Sequence, residues 1–226
     1  MRSVDVGEKS FRVKAAIFDL DGTLVEFKLR VRDAKLEIIS RLRELGLDPG
    51  DLSPEDSIQT LISKATAVRK ELNDLVRCEV FKVMEKFELE AASAPSPRKD
   101  ALNVLMSLKS MGIMVAVATN SCREAVLLAL QKCGMAAYVD LLVTRDDVER
   151  IKPANDLLKK ALSLLGVSSE EAVYVGDSAY DVEAAKSMNV KSVAVLGGAH
   201  PEGVLAEKGP DFIIGSLSDL LSIIRG

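Results

Sequence analysis

The sequence has 226 residues, 48% of them hydrophobic and 28% charged, enough apolar material for one large domain or a large domain carrying a smaller one. A formal net charge of −4 and an aromatic content of 4%, with no Trp, exclude a general nucleic-acid binder, which needs a basic face and stacking surfaces. Three cysteines without C-x-x-C spacing and a single histidine, His200, argue against a disulfide framework, a zinc site and any mechanism built on two imidazoles.

Residues 1–14 hold no hydrophobic signal core, and no apolar run reaches the roughly 18 residues of a membrane helix. A cytoplasmic protein with no membrane or nucleic-acid partner is expected. The run 14–18 is continuously apolar at its end and reads as a buried parallel strand. Asp19-Leu20-Asp21-Gly22-Thr23 follows it directly. Burying two carboxylates at a strand end is costly unless a cation or hydrogen bonds balance them. Taken alone, the run is as readily an Asx turn leading to a helix cap, with Thr23 and Glu26 in capping-box spacing.

Residues 26–96 interrupt the strand–helix alternation. Val31, Ala34, Ile38, Leu42 and Leu45 form one helical stripe, and Ile58, Leu61, Ile62 and Ala65 a second. A third, Val68, Leu72, Leu75, Val76, Val80, Val83 and Phe87, predicts a longer helix. Ala94-Pro95-Ser96-Pro97 reads as a stiff linker back to the sheet. A crossover between neighbouring strands needs only about a dozen residues, so 26–96 is expected to be an all-helical insert. It divides a core made of residues 1–25 and 97–226.

The alternation resumes with a helix over 99–111 and a strand over 113–118, then Thr119-Asn120-Ser121, where Ser121 and Glu124 have capping-box spacing. The hydroxyl and free backbone N–H groups there suit an anion. After a strand over 139–143 comes Lys152-Pro153, with Pro153 expected to open a helix reaching 165. Either segment alone is an ordinary capped helix or a surface lysine. The strand 172–175 ends in Gly176-Asp177-Ser178, with Asp181 in capping-box spacing to Ser178. Asp19, Asp21 and Asp177 together make an oxygen-rich site suited to Mg²⁺. Strands over 190–196 and 212–214 complete the pattern, an α/β fold with a doubly wound, Rossmann-like parallel sheet that binds ligands beyond its strands' carboxyl ends.

The order is an acid pair, a threonine, a lysine and a second acid pair, each at a strand end or helix start. This order resembles the four motifs of the haloacid dehalogenase superfamily. Asp19 to Thr23 match the first, Thr119 the second, Lys152 the third and Gly176-Asp177-Ser178-Ala179-Tyr180-Asp181 the fourth. The insert is similar to the family's helical cap domain, in the manner of its phosphoglycolate phosphatase-like branch, and residues 203–224 to its final strand and helix.

The resemblance implies a Mg²⁺-dependent phosphatase acting on a small phosphorylated metabolite through a phospho-aspartyl intermediate. In that scheme Asp19 is the nucleophile and Asp21 the acid and base. Thr119 and Lys152 hold the phosphoryl oxygens, aided by Asn120, Gly22 and Thr23. Mg²⁺ sits on Asp19, the Asp21 carbonyl and Asp177, and Asp181 supports it through water or at one remove. Asp21 is absent from the family's dehalogenases, so its presence favours phosphate-ester hydrolysis or phosphomutase chemistry. Thr119 stands where Ser is also common, and Asn155 where many relatives have a second proline.

A sugar-phosphate mutase, similar to β-phosphoglucomutase, and a nucleotidase are the alternatives. A phospho-accepting receiver also uses Asp, Mg²⁺, Thr and a Lys-Pro step, but places its lysine last. An inactive binding protein would lack residues that are all present here. Substrate choice is expected to lie in the insert, with Lys28, Arg30, Arg32 and Arg69 as candidate contacts to a second anionic group. Tyr180 and His200 fall near the site loops without an assigned role. A monomer or homodimer is expected.

Overall fold

The structure is a computed structural model that describes residues 13–225, so most of the N-terminal segment read above lies outside the described residues. In chain order, β1 (Ala15–Phe18) is followed by the short β2 (Val25–Glu26), then α1 (Val31–Glu44), α2 (Ile58–Val68) and α3 (Asn73–Ala92). The chain returns through β3 (Ser96–Pro97) into α4 (Ala101–Ser110), β4 (Met114–Ala118), α5 (Arg123–Lys132), β5 (Leu141–Val143) and α6 (Asp156–Leu165). It ends with β6 (Ala172–Gly176), α7 (Ala179–Ser187), β7 (Lys191–Val195), α8 (Glu202–Glu207), β8 (Phe212–Ile214) and α9 (Leu220–Arg225).

Among the described residues six strands form one parallel sheet in the order β5-β4-β1-β6-β7-β8. β1 is buried on both faces, as its Ala-Ala-Ile-Phe run requires. Phe18 is level with Val117 on one side and Val175 on the other, so Asp19, Thr119 and Asp177 emerge at one edge. One face of the sheet packs Phe18, Val117 and Val175 against Leu105, Leu108, Val126 and Leu220. The other packs Ile17, Ala116 and Tyr174 against Leu157, Leu158 and Ala185. Each such side chain fully removed from water contributes about 1.5–3 kcal/mol.

The insert has a separate apolar cluster, centred on Ile38, Leu42, Leu61, Val76, Val80 and Phe87. Its entry and exit pair as a two-stranded antiparallel ribbon, with Val25 opposite Pro97 and Glu26 opposite Ser96. The stretch expected to be a linker is therefore half of that ribbon, and Pro97 is tolerated because a two-stranded ribbon has only edges. The third stripe is not one helix. Val68 closes α2, Arg69 is extended (φ −147°, ψ 97°), and a 3₁₀ turn at Lys70–Leu72 precedes α3. α2 and α3 pack on each other, so the chain must turn there. Val68 and Leu75 stay 40% and 41% exposed, as members of a false stripe would.

The strand expected over 139–143 begins only at Leu141, because the Asp140 carboxylate accepts from Val115 N (2.8 Å) and a 3₁₀ turn occupies Ala136–Tyr138. Pro153 does not open a helix. α6 starts at Asp156, and residue 152 is held in a loop by Asn120. Thr23 and Glu26 cap no helix, since the chain enters β2 there. Among the described residues no helix is long and apolar enough to cross a membrane.

Candidate active site

The first turn beyond β1 is closed by Gly22 N donating to Val25 O (2.7 Å) and by Leu24 and Val25 N–H groups donating to Leu20 O. Gly22 has φ +80°, and a Cβ added there would stand 2.0 Å from Asp177 Oδ2. The position therefore needs glycine on two grounds. Thr23 is fully buried, and its hydroxyl donates to Asp177 Oδ1 (3.3 Å). Neither Gly22 nor Thr23 lines the cavity; Thr23 holds Asp177 through its hydroxyl, and Gly22 leaves that carboxylate room.

Lys152 is 5% exposed and lies at the centre of the cluster. Its Nζ donates to Asp19 Oδ1 (2.7 Å), Asp181 Oδ1 (2.6 Å) and the Tyr174 hydroxyl oxygen (2.9 Å). The Tyr174 hydroxyl in turn lies 2.8 Å from Ala118 O. Burial opposes the lysine's charge, but the Asp181 and Asp19 carboxylates outweigh it and hold its pKa well above the usual value. Asn120 grips the lysine's own backbone, its Oδ1 accepting from Lys152 N (2.9 Å) and its Nδ2 donating to Lys152 O (3.2 Å).

Asp181 closes the expected capping box at the start of α7, with Oδ2 accepting from Ser178 N (3.0 Å) and Ser178 Oγ (2.6 Å). With its other oxygen accepting from Lys152 Nζ, and 3.0 Å from the Tyr174 hydroxyl, whose one proton Ala118 O and Asp181 compete for, Asp181 orders the lysine. The box expected from Ser121 and Glu124 does not form. Cys122 is the N-cap residue of α5, and Glu88 and Asp146 take the Cys122 and Arg123 N–H groups (2.9 and 2.7 Å).

Burial raises the pKa of Asp19, against the pull of Lys152. Burial also pushes Asp21 up to about 7, although Phe27 N donates to its carboxylate (2.8 Å). Asp177 is likewise pushed up to about 7, by burial and then by the charge of Asp19. Ala199 N donates to Asp177 Oδ2 (2.5 Å), and a Cβ on Gly198 would stand 2.0 Å from that oxygen. Carboxylate oxygens of Asp19, Asp177 and Asp181 lie within 4.8 Å of one another. Among the described residues Lys152 is the one cation hydrogen-bonded among these acids, so the cluster carries surplus negative charge. Closely set hard oxygens with such a surplus fit a divalent cation such as Mg²⁺.

These groups open into a cavity of about 260 Å³ between sheet and insert. Asp19, Asp21, Thr119, Asn120, Lys152 and Asp177 line its floor, and Leu29, Lys35, Ile58, Gln59 and Met84 its insert side. Of the expected cap contacts, Lys28, Arg30, Arg32 and Arg69 line none of it. Arg30 pairs with Asp33 and Glu90, and Arg32 with Glu55. The insert's cation in the cavity is Lys35, whose pKa burial lowers. It reads in sequence as one polar position of α1 among several. Tyr174 was also missed, because an aromatic residue inside a buried strand carries no signal of polar work. Tyr180 lines the cavity, and His200 Nδ1 accepts from Ala179 N (3.2 Å) behind it.

A family profile described as haloacid dehalogenase-like hydrolase matches residues 16–195. The chain is similar to pyrophosphatase PpaX of Bacillus velezensis, 30% identical over 214 residues that cover 94% of this chain and 96% of the relative. In fold it is similar to a hydrolase from Pseudomonas syringae (TM-score 0.69, 22% identity, covering 94% and 98% of the two chains). It is also similar to a predicted phosphoglycolate phosphatase from Haemophilus somnus (TM-score 0.65, 22% identity, covering 93% and 97%).

Proposed function

The chain belongs to the haloacid dehalogenase-like hydrolase family, and on that premise we propose that it hydrolyses a small phosphorylated metabolite through a phospho-aspartyl intermediate on Asp19. The observation that carries the reading is the meeting of Asp19 with Lys152, Asp177 and Asp181 at one sheet edge, although Asp19 lies more than a hundred residues before the other three.

In the first step an Asp19 oxygen forms a bond to phosphorus as the bond to the leaving oxygen breaks. Asp21, neutral up to a pH of about 7, gives its proton to that leaving oxygen. In the second step ionised Asp21 takes a proton from water, whose oxygen attacks phosphorus and restores the Asp19 carboxylate. Lys152 offsets negative charge on the phosphoryl oxygens throughout, and the Thr119 hydroxyl donates to one of them. Mg²⁺ held by Asp19, Asp177 and the Asp21 carbonyl would supply the positive charge that keeps Asp19 ionised beside a phosphate dianion. Asp181 and Tyr174 keep the lysine aimed.

The proposed setting is the cytoplasm, where Cys78, Cys122 and Cys133 serve as free thiols. Hydrolysis of an aryl phosphate with and without Mg²⁺ tests the scheme. Asp19→Asn is expected to abolish turnover, and full activity in that variant would overturn it. Lys35 in the insert wall favours a leaving group with its own negative charge, which the PpaX relatives' name also supports. Pyrophosphate and phosphoglycolate are then expected to outrun hexose phosphates and nucleoside monophosphates. Release of a rearranged sugar phosphate, with little free phosphate, would point to a mutase.

A further inference from the structure

The seam between insert and sheet hides a pair of charges that the proposed chemistry does not use. Glu88 of α3 and Arg145, in the turn after β5, form an ion pair through Oε1 and Nη1, and each side chain is only 2% exposed. Removing two ions from water is costly, and a well-packed apolar pair would hold the seam as firmly. The remaining hydrogen bonds show what the pair holds instead.

Glu88 Oε2 accepts from Cys122 N (2.9 Å), at the start of α5. Arg145 Nη1 also donates to the Asn120 carbonyl (3.2 Å), and Nη2 to the Phe81 carbonyl of α3 (3.3 Å). The guanidinium lies over the Phe81 ring, 5.0 Å from its centroid. Arg145 Nε has no hydrogen-bond partner among the described residues, with Asp146 3.8 Å away, so Glu88 and the two carbonyls set its orientation. The segment 119–122 is thus pinned at a carbonyl and an amide by the two halves of one ion pair, and one half belongs to the insert.

We propose that Glu88 and Arg145 are positioning residues for the Thr119–Ser121 loop, so that docking of the insert and setting of the phosphate site are one event. The inference rests on the phosphatase reading. The pair fixes the Asn120 backbone, whose side chain grips both backbone groups of Lys152. Thr119, one residue before, is set by the same constraint. A displacement at Glu88 therefore reaches both phosphoryl-holding groups without touching either.

The test compares wild type, Glu88→Gln, Arg145→Lys and Lys86→Ala, the last an exposed α3 control paired with Glu37. The readouts are kcat and KM on an aryl phosphate with Mg²⁺, binding of inorganic phosphate by titration calorimetry, and Tm. Glu88→Gln and Arg145→Lys are expected to weaken inorganic phosphate binding and raise KM by roughly 10- to 100-fold. Lys86→Ala is expected to change neither. The double variant should be no worse than the poorer single variant, because both break one constraint.

Wild-type phosphate binding and kcat in both seam variants, with only Tm lowered, would overturn the inference and leave the pair structural. Should Glu88→Gln fail to fold, Arg145→Lys carries the comparison. An inactive wild type, or a fully active Asp19→Asn, would instead sink the phosphatase reading and the inference with it.

Discussion

Two carboxyl groups that hold protons near neutrality give the site a pH signature. Asp21 and Asp177 are pushed up to about 7 from an ordinary 3.8, chiefly by burial. A folded-state pKa above the unfolded one means their contribution to stability is present below the unfolded value and lost as pH rises through about 7. In the proposed site Mg²⁺ would compete with the Asp177 proton for the same oxygens, and its charge would draw the proton from the nearby Asp21 carboxyl. Its addition is expected to raise Tm clearly at about pH 8 and hardly at all at about pH 5, as scanning calorimetry would show. An equal increment at both values would remove these carboxylates from the metal's neighbourhood. Lys35→Ala is expected to raise KM for pyrophosphate or phosphoglycolate roughly tenfold, the worth of one charge-assisted hydrogen bond. It should leave KM for an uncharged aryl leaving group unchanged, and a parallel loss on both substrates would count against Lys35 as a leaving-group contact. Asp19, Asp21, Lys152 and Asp177 were legible because acids and a lysine at apolar strand ends and helix approaches look anomalous. Glu88, Arg145 and Tyr174 were not, because their partners lie 57 or 22 residues away and nothing local marks a buried charge or hydroxyl as satisfied.

Elements were readable where one period dominated. The Ala-Val run of β4 and the Val-Tyr-Val run of β6 gave strands within a residue of their observed limits. Periodicity failed at Arg69, where i and i+4 spacing ran on through a turn that holds no Gly or Pro to announce it. Caps were legible when their acceptor was local, as at Ser178 and Asp181, and invisible when a distant carboxylate took the role, as at α5. One element carries a removable cost. Asp100, ahead of α4, adopts φ 64° with no side-chain capping bond. Asp100→Gly is expected to stabilise the fold by up to about 1 kcal/mol, read as a higher Tm, because only glycine visits that region freely. A lower Tm would show that the aspartate makes an unrecognised contribution there.

At the scale of the whole molecule, the separate apolar cluster of the insert raises the question of how independently it opens. Leu61 is fully buried in that cluster, and Leu105 in the sheet's. Leu61→Ala is expected to cost about 2–5 kcal/mol locally. Hydrogen exchange should then quicken across α1 to α3 while β1, β4 and β6 keep their protection. Uniform loss would show that insert and sheet unfold as one cooperative body.

The two-stranded ribbon also bears on how such a molecule can be edited. Val25 and Pro97 are register partners, so the points where the chain leaves and rejoins the core stand roughly 5 Å apart. A tight turn of a few residues could join them, which makes the helices between a cassette that can be exchanged without re-threading the sheet. Any replacement would inherit one obligation. It must bring its own carboxylate to Arg145 and Cys122, or leave behind a buried cation and an uncapped helix.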